Sequence, residues 1–482
     1  MALRDAVIFR QNPWWRTAGW ETADTHLALL AERPVRLPAR AVYEIDLEAA
    51  GLHTLRGPRQ VGKSTDLKLL VQRALRAGRR PQQIIYLQVD LLVGQPIAEL
   101  DATVEAAKRL ARAGPGALVL LDEVTTLDGW DIGVKAMWDT GLLRGDTVVA
   151  TGSSAAEMYR GVAERWPGRR GAGEDHLVLP QSFAAFARAI SPAIPLSPQL
   201  RAGELLLATH RDLLADTRMY VQELTQAFDL YLRFGGLPAA VAEAVAGRAE
   251  PSAQTMRIIT DSLVREVQRR GAAEAAAYAM LERIARSLGS RVSWAALAED
   301  MDVPMGTGRL GHPSVRTVRD YVEFMAAGYL VMVLYAWKPD LAGSDLAREK
   351  KLYFGDPLLY RAALDHAGLR EEAPALAENV IAELLLRRYE PVSEQIRGFV
   401  EPTSLHLWRS KRGGEVDFLA GGRNALDVIE VKYQERVDRR LLRGLHAAFP
   451  GRPVIVCTKT DLDLIDEQTA LIPASLLAWA LG

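Results

Sequence analysis

One short stretch constrains this chain more than any other: Gly57-Pro-Arg-Gln-Val-Gly62-Lys63-Ser64-Thr65. The apolar segment from Leu52 to Leu55 precedes it, and apolar side chains recur at helical spacing after it, which predicts a strand, a loop and a helix. Glycines allow backbone N–H groups to turn inward around phosphate groups, and the amino-terminus of the helix adds its dipole. We therefore predict a nucleotide-binding site at this loop.

The residue types in the loop suggest a role for each position. Gly57 and Gly62 would shape the backbone, and Lys63 would neutralise phosphate oxygens. The Ser64 hydroxyl would ligate Mg²⁺, and Thr65 belongs to the same predicted cofactor-binding set, so the expected cofactors are ATP and Mg²⁺. The alternative is an accidental glycine and lysine match in an ordinary turn, but the flanking strand and helix favour the phosphate site.

Composition bounds the class of protein. The chain has 482 residues, of which 49% are hydrophobic and 25% are charged, so it can bury several cores and is expected to form about three domains. Its formal net charge of −1 means that any nucleic-acid contact depends on local basic patches. The single cysteine, Cys457, excludes an internal disulfide and a thiolate zinc site, which fits a reducing compartment.

The sequence shows no sign of export or membrane insertion. Its amino-terminal stretch lacks the apolar core of a secretion signal, and the longest apolar run, from Met325 to Trp337, is too short to span a bilayer. We expect a cytoplasmic protein without a membrane partner. Residues 1–40 form a predicted arm, in which Trp14 and Trp15 either pack against the arm's own core or present a surface to a partner or to bases.

Residues 41–190 alternate apolar strands with helices, which predicts an α/β unit whose parallel sheet is covered on both faces. The predicted strands are 51–56, 84–90, 117–122, 147–151 and 176–179. The ends of these strands carry the candidates for catalysis.

The third predicted strand ends in two carboxylates, Asp122 and Glu123, downstream of the phosphate loop. Asp122 would hold Mg²⁺ through water, and Glu123 would polarise the water that attacks the γ-phosphate. The next strand ends in Thr151-Gly152-Ser153-Ser154, where a hydroxyl could sense the γ-phosphate or orient that water. Ser153 represents this position, although spacing does not decide among the three hydroxyls.

These elements and two further segments resemble the AAA+ ATPases. The segments are 165–186, with Pro167-Gly168-Arg169 and Leu179-Pro-Gln-Ser-Phe183, and 231–238, Tyr-Leu-Arg-Phe-Gly-Gly-Leu-Pro. Together they are similar to a bacterial and archaeal family of predicted AAA+ ATPases whose carboxy-terminal half has no assigned function. The resemblance implies a homo-oligomer, expected as a hexameric ring, in which an arginine of one subunit completes the site of the next. Arg169 is the candidate arginine and Arg160 the alternative; either could instead be a solvated surface residue.

The next two predicted units are a helical lid, residues 191–275, and a winged helix, residues 276–355. Three helices, the third begun by Ser314 as N-cap, and a hairpin give the winged-helix pattern. Arg316 and Arg319 would lie on the outward face of the third helix, where they could contact DNA. The same unit could instead serve as a spacer or a dock for another protein.

The last predicted unit, residues 356–482, places a second group of charged residues on regular elements. A helix carries Glu378, and one strand of an antiparallel pair carries Asp417. The next strand carries Glu430 and Lys432, whose spacing of two places them on one face. A further helix and strand complete an αβββαβ order. Clustered carboxylates repel unless a cation lies between them, and Mg²⁺ prefers oxygen ligands, so the pattern is consistent with a second magnesium site.

This order resembles the PD-(D/E)xK nuclease fold. The resemblance implies that Asp417 and Glu430 ligate Mg²⁺ or Mn²⁺ and that Glu378 adds a helix carboxylate. Lys432 would position or deprotonate the hydrolytic water. The family more often has a glycine before the helix glutamate, so Glu383 is kept as the alternative to Glu378. Basic residues that either guide a phosphate backbone or form ordinary surface are Arg409, Lys411, Arg412, Arg439 and Arg440.

The sequence thus predicts an α/β multidomain protein with an AAA+ P-loop core, a helical lid, a winged helix and a nuclease-like domain. The first hypothesis is an oligomeric ATPase that couples ATP hydrolysis to metal-dependent cleavage of DNA, with RNA as a second possible substrate. The alternative is an ATP-switched regulatory or assembly protein whose nuclease-like domain binds nucleic acid or a partner without cutting.

Overall fold

A computed structural model gives the fold of most of the chain. It describes residues 3–37, 41–152, 154, 158, 166, 168, 170–269, 271–301, 303–304, 310–338, 343–391, 397–410, 414–422 and 425–482. Contacts divide the chain into two compact units, Met1–Leu179 and Pro180–Gly482. Helix Phe183–Ile190, which the sequence analysis placed in the ATPase core, is counted with the second unit.

The first unit contains a five-stranded sheet. Its strands are β1 (Gly51–Arg56), β2 (Ile84–Gln88), β3 (Leu118–Asp122), β4 (Thr147–Thr151) and β5 (Asp175–Leu177). Their order across the sheet is β2-β3-β4-β1-β5, and every neighbouring pair is parallel. Strands β1, β3 and β4 are buried along their whole length, because helices cover both faces of a parallel sheet. The predicted parallel α/β architecture is confirmed.

Helices and the amino-terminal arm surround this sheet. The α-helices of the described part of this unit are Leu3–Gln11, Thr25–Glu32, Ala41–Glu44, Lys63–Arg76, Ala98–Ala111 and Trp130–Asp139. Trp14 and Trp15 are buried, and their indole N–H groups both donate to the carbonyl oxygen of Ile84, at 3.0 and 2.8 Å. Of the two alternatives for these tryptophans, the structure shows packing of the arm against its own unit.

The second unit is rich in helices. Within its described residues the α-helices are Phe183–Ile190, Ala208–Thr217, Val221–Phe234, Pro238–Val245, Ala253–Gln268, Glu274–Arg286, Trp294–Glu299, Val315–Ala327, Pro357–Ala367, Ala373–Tyr389, Arg440–Ala448 and Ala474–Leu481. The predicted N-cap Ser314 is in place, since its hydroxyl accepts a hydrogen bond from the Thr317 N–H at 3.0 Å. None of the helices in the described residues combines the length and the hydropathy that a membrane span requires.

A nine-stranded sheet forms the centre of the second unit. The strands of this unit are β6 (Arg291–Val292), β7 (Val303–Pro304), β8 (Leu310–Gly311), β9 (Val331–Lys338), β10 (Gly343–Phe354), β11 (Leu405–Arg409), β12 (Glu415–Ala420), β13 (Asp427–Val431), β14 (Val454–Thr458), β15 (Asp463–Leu464) and β16 (Thr469–Pro473). Their order in the large sheet is β15-β16-β14-β13-β12-β11-β9-β10-β6, while β7 and β8 pair separately.

The hairpin of β9 and β10 belongs to the same sheet as β11 to β14. Ala336 of β9 pairs in parallel with Leu407 of β11, so the backbone groups of two strands that would otherwise be edges are satisfied by each other. The sequence analysis separated these strands into a winged helix and a nuclease-like domain at residues 355 and 356. In the structure that boundary falls at the end of β10, and the two predicted units share one sheet.

An apolar core lies between the large sheet and helix Arg440–Ala448. Its buried members are Val416, Leu419, Leu426, Val428, Leu442, Leu445, Val454, Val456 and Leu471. The αβββαβ order predicted from the sequence is present as helix Ala373–Tyr389, β11, β12, β13, helix Arg440–Ala448 and β14. The core holds these elements so that the polar ends of β12 and β13 lie together.

Candidate functional site

The phosphate loop joins β1 to helix Lys63–Arg76 in the first unit. Gly62 precedes the helix with a φ of 101°, a left-handed conformation that favours glycine. Gly62 makes no side-chain cap at this helix, and the amino-terminus of a helix favours a bound anion. Gly57 lies so close to the neighbouring backbone that a Cβ atom there would be 1.9 Å from the Val178 carbonyl oxygen. Both predicted glycines are therefore required by the geometry of the loop.

Lys63 is buried, and its Nζ donates to the carbonyl oxygens of Gly57 at 2.9 Å and Pro58 at 2.8 Å. These bonds hold the ammonium group against the loop. A phosphate oxygen is a stronger acceptor for an ammonium group than a neutral carbonyl, so a bound triphosphate would compete for these donors. Ser64 and Thr65 lie half-buried in the first turn of the helix, where the predicted phosphate and Mg²⁺ contacts require them.

Strand β4 lies between β1 and β3, which brings its end to the carboxylates of the site. The Thr151 hydroxyl donates to Asp122 Oδ1 at 2.5 Å and accepts a hydrogen bond from the Glu123 N–H at 3.3 Å. On the other side, the Tyr86 hydroxyl donates to Asp122 Oδ2 at 2.7 Å. Burial and the nearby Asp122 raise the pKa of Tyr86, which keeps this hydroxyl protonated as a donor. Asp122 is thus held in one orientation by two hydroxyl groups.

Glu123 differs from Asp122 in having an unsatisfied oxygen. Its Oε2 is buried and has no hydrogen-bond partner among the described residues. Its backbone has a φ of 57°, which turns the chain directly after β3. A buried carboxylate oxygen without a donor is costly, and a water molecule would satisfy it. The residues present therefore fit ATP and Mg²⁺. Ser64 and Asp122 would hold the cation, which would neutralise charge at the phosphates. Glu123 would accept a proton from water.

Three residues predicted near this site lie outside the described residues: Ser153, Arg160 and Arg169. Of the other two hydroxyls in the predicted sensor segment, Thr151 contacts Asp122, as described above. Ser154 is buried, and its N–H donates to Thr125 Oγ1 at 3.2 Å. The signal that favours Thr151 is its position as the last residue of a fully buried strand flanked by β1 and β3.

The second group of charged residues lies in the second unit, at the ends of β12 and β13. The Asp417 N–H donates to Glu430 Oε2 at 3.2 Å, and the Val431 N–H donates to Asp417 Oδ2 at 2.9 Å. Lys432 follows the last residue of β13, and its Nζ forms an ion pair with Glu430 Oε1. The structure therefore brings Asp417, Glu430 and Lys432 together, as the strand pattern predicted. Glu383 points elsewhere and pairs with Arg387.

A residue that sequence reasoning missed lies in the middle of this cluster. Lys351 of β10 places its Nζ 2.7 Å from Asp417 Oδ1, 2.9 Å from Glu378 Oε1 and 3.3 Å from Glu415 Oε1. Tyr353, two residues along the same strand, donates from its hydroxyl to Glu378 Oε1 at 2.6 Å. Glu378 and Asp417 are thus connected by an ammonium group, which the sequence analysis had assigned to a different domain.

Burial and charge set the protonation of this cluster. Burial, followed by the repulsion of Asp417, raises the pKa of Glu378 to about 7, although Lys351 opposes the shift. Burial and Asp417 likewise raise the pKa of Glu430 to about 7 against the attraction of Lys432. Burial lowers the pKa of Lys351, but Asp417 and Glu378 outweigh it and the net shift is upward. The lysine is therefore charged at neutral pH.

The predicted divalent cation does not fit this cluster as it stands. In the part of the chain that the structure describes, no group of three or more histidine, cysteine, aspartate or glutamate side chains is arranged to hold a metal ion. Lys351 takes the position between Glu378 and Asp417 that such an ion would need. No step of a reaction is therefore assigned to Mg²⁺ or Mn²⁺ here.

The predicted basic surface residues are largely paired with acids. Arg409 contacts Glu349 at 3.1 Å, and Arg439 and Arg440 pair with Asp463 and Asp438. Lys411 and Arg412 lie outside the described residues. On helix Val315–Ala327, Arg319 pairs with Glu323 at 2.7 Å, whereas Arg316 has a side chain that is 92% exposed and lies 4.0 Å from Asp320. Among the predicted nucleic-acid contacts that the structure describes, Arg316 is therefore the most accessible.

Comparison with protein families assigns part of the chain. Residues 50–187 match the model of an AAA domain, which includes the whole phosphate-loop site described above. Residues 225–370 and 374–477 match two domains of unknown function, DUF8612 and DUF4143. Lys351 lies in the first of these two matches, and its partners Glu378 and Asp417 lie in the second. No curated protein is detectably similar to the chain in sequence.

Solved structures with a similar arrangement of elements are distant. The Walker-type ATPase Paby2304 of Pyrococcus abyssi is 14% identical, with a TM-score of 0.36 over 69% of this chain and 97% of that one. The ORC2 protein of Aeropyrum pernix in ADPNP and ADP complexes is 13% identical, with a TM-score of 0.36 over 70% of this chain and 96% of that one. The ORC1 protein of Aeropyrum pernix in complex with DNA is 13% identical, with a TM-score of 0.30 over 69% of this chain and 94% of that one.

Proposed function

From the premise that residues 50–187 form a P-loop AAA+ ATPase domain, we propose that the chain is an ATP-hydrolysing switch that acts on nucleic acid through its second unit without cutting it. ATP and Mg²⁺ bind at the phosphate loop. ATP binding and hydrolysis change the conformation of the chain, and this conformation sets the affinity of the second unit for DNA. RNA is the second candidate ligand.

One observation carries the ATPase part of the proposal: Glu123, directly after β3, has a buried Oε2 with no hydrogen-bond partner among the described residues, in the same domain as the phosphate loop. A buried acceptor at the end of β3 is suited to take a proton from an attacking water. Lys63 and the helix N-terminus would stabilise the charge that develops on the phosphates. Thr151 orients this arrangement because it contacts both Asp122 and the backbone of Glu123.

The nucleic-acid part of the proposal depends on helix Val315–Ala327. Arg316 is almost fully exposed, and Arg319 is half-exposed one turn away. Their acidic neighbours Asp320 and Glu323 lie four residues along the helix, and exposed pairs of this kind contribute little energy. A phosphate backbone would therefore compete well for both guanidinium groups.

The assembly is proposed as a homo-oligomer, and a hexameric ring is the form that the family resemblance implies. Arg169 is the proposed arginine that reaches the site of the neighbouring subunit, with Arg160 as the alternative. Mass photometry with and without a slowly hydrolysed ATP analogue would give the number of subunits.

A non-cutting role is preferred to cleavage because Lys351 lies between Glu378 and Asp417. A nuclease of the predicted type needs a divalent cation at that position to polarise the phosphodiester and its attacking water. The ammonium group neutralises the carboxylates but cannot lower the pKa of a bound water in the way that a divalent cation does.

The proposal is tested by nucleotide-dependent binding of labelled single-stranded DNA, duplex DNA and RNA, measured by fluorescence anisotropy with Mg²⁺ and ATP, ADP or no nucleotide. We expect the affinity for one of these ligands to differ between ATP and ADP, and Lys63→Ala to remove the difference. Arg316→Glu combined with Arg319→Glu should weaken binding by about tenfold or more. The slope of log affinity against log salt concentration should fall by about one for each arginine, the value of one phosphate contact.

The matched control is Arg286→Glu, because Arg286 is also an exposed helical arginine paired with a glutamate four residues away, Glu282. It should bind nucleic acid like the wild type. Equal affinity in every nucleotide state would contradict the switch. Cleavage of any of these ligands that Lys432→Ala abolishes would establish the nuclease instead.

A further inference from the structure

Lys351 is one of the most deeply buried charged residues in the second unit. Its side chain is only 2% exposed, and it extends from the middle of β10 into the carboxylate cluster. An ammonium group has three N–H donors, and three carboxylate oxygens lie within 3.3 Å of Nζ, on Asp417, Glu378 and Glu415. Nζ donates hydrogen bonds to Glu378 and Asp417 and forms a further ion pair with Glu415.

The surrounding groups are also arranged for an ammonium rather than for a metal ion. Asp417 Oδ2 accepts the Val431 N–H, and Glu378 Oε1 also accepts the Tyr353 hydroxyl. A magnesium ion needs ligands at about 2.0–2.1 Å in near-octahedral geometry, whereas these oxygens surround Nζ at hydrogen-bonding distances. A divalent ion placed beside the buried ammonium would also be repelled by it across a medium of low dielectric.

The cation is supplied by a different part of the chain from its anions. Lys351 lies on β10, which pairs with β9 of the hairpin, while Asp417 lies on β12 and Glu378 on helix Ala373–Tyr389. β9 in turn pairs with β11, which pairs with β12, so one sheet carries both Lys351 and Asp417. If the two segments separated, the buried carboxylates would lose their cation, and this would be strongly destabilising.

We propose that Lys351 is a resident cation that replaces the divalent metal ion of the nuclease-like cluster and thereby keeps a latent metal site closed. The site would take Mg²⁺ or Mn²⁺ only if the ammonium were removed, since Asp417, Glu378 and Glu430 would then be buried carboxylates without sufficient positive charge. The non-cutting role proposed above rests on the same lysine, but cation binding is measured here without nucleic acid and without nucleotide. A failure of either proposal can therefore be recognised separately.

The test measures Mn²⁺ binding to the full chain without nucleotide, by electron paramagnetic resonance and by isothermal titration calorimetry. We expect the wild type and Asp417→Asn to bind Mn²⁺ equally weakly. Lys351→Met should gain one site per chain, at least about tenfold tighter than any site in the wild type, because the carboxylates lose their compensating charge. Adding Asp417→Asn to Lys351→Met should remove the gained site.

Lys350→Met is the matched control, because Lys350 is also buried on β10 but faces the other way, with its Nζ 4.2 Å from the ring centroid of Trp294. It should bind Mn²⁺ like the wild type. A tight Mn²⁺ site in the wild type that Asp417→Asn abolishes would overturn the proposal, and this comparison does not require Lys351→Met to fold. A folded Lys351→Met, checked by circular dichroism, that gains no site would overturn it as well.

Discussion

His406 on β11 has a fully buried side chain. It has no exposed surface, and neither ring nitrogen has a hydrogen-bond partner among the described residues. The ring of Trp337 packs edge-on against it, with 4.8 Å between the ring centroids. Burial lowers the pKa of His406 to about 4, because the apolar surroundings disfavour the imidazolium form.

This residue predicts a pH dependence of stability. The unfolded chain binds a proton at His406 below about pH 6.5, whereas the folded chain does so only below about pH 4. The free energy of unfolding therefore falls as the pH falls between those values. His406→Leu should remove that dependence and should be more stable at pH 8 by about 1–3 kcal/mol, since no unpartnered nitrogen is then buried. Thermal unfolding of both proteins from pH 4 to 8 is the measurement, and parallel curves would contradict the assignment.

For the hydroxyl beside the carboxylates at the phosphate-loop site, the sequence predicted the segment but did not identify Thr151 within it. The sequence narrowed the hydroxyl beside the carboxylates to three candidates, because strand order was implied only by the family resemblance. The structure places β4 between β1 and β3, and the hydroxyl of Thr151, the last residue of β4, contacts Asp122. Spacing along the chain contains no information about which strands are neighbours in the sheet.

At the scale of elements, the turn between helices Val221–Phe234 and Pro238–Val245 explains a glycine pair. A Cβ atom at Gly236 would lie 2.0 Å from the carbonyl oxygen of Gln181, a backbone atom that cannot move away easily. The Gly236 N–H donates to Asp356 Oδ2 at 2.7 Å, which connects the turn to the start of helix Pro357–Ala367. The glycine motif used for the family resemblance thus has a packing role in the second unit.

Gly236→Ala is therefore expected to destabilise the second unit by about 1–3 kcal/mol or more, as overpacking against a fixed group does. Gly444→Ala is the matched control, because a Cβ at Gly444 meets no atom within 4 Å and the residue lies inside helix Arg440–Ala448. That variant should be neutral or more stable by about 0.5–1 kcal/mol. Calorimetric unfolding of the two variants gives the comparison; equal effects would show that the close approach is not rigid.

Most helices and strands could be predicted from apolar periodicity and N-caps, as Ser314 and the strands of the first unit show. The carboxylates Asp417 and Glu430 were named from the resemblance to the PD-(D/E)xK nuclease fold, and strand periodicity added only that Glu430 and Lys432 share a face. Lys351 could not be found in this way. It reaches the cluster only because the hairpin joins the large sheet through the pairing of β9 with β11, and no local pattern encodes that pairing.

At the scale of the whole molecule, the sequence pointed to two magnesium sites, and the structure supports them unequally. The unit that holds the phosphate loop has a helix without a side-chain cap at Gly62 and, at Glu123, a buried carboxylate oxygen with no hydrogen-bond partner among the described residues. The cluster around Asp417 is closed by an internal ammonium group. We therefore propose that the chemistry of the chain is centred on its first unit and that the second unit responds to it by binding.

The most direct test of this account is single-turnover ATP hydrolysis by Glu123→Gln, with ATP affinity measured on the same protein. The variant should bind ATP with the affinity of the wild type but hydrolyse it slower by about 10²-fold or more, because the glutamine side chain cannot accept the proton of the attacking water. Asp128→Asn, a change at an exposed acid a few residues later, should hydrolyse ATP at the wild-type rate. Wild-type hydrolysis by Glu123→Gln would contradict the central claim.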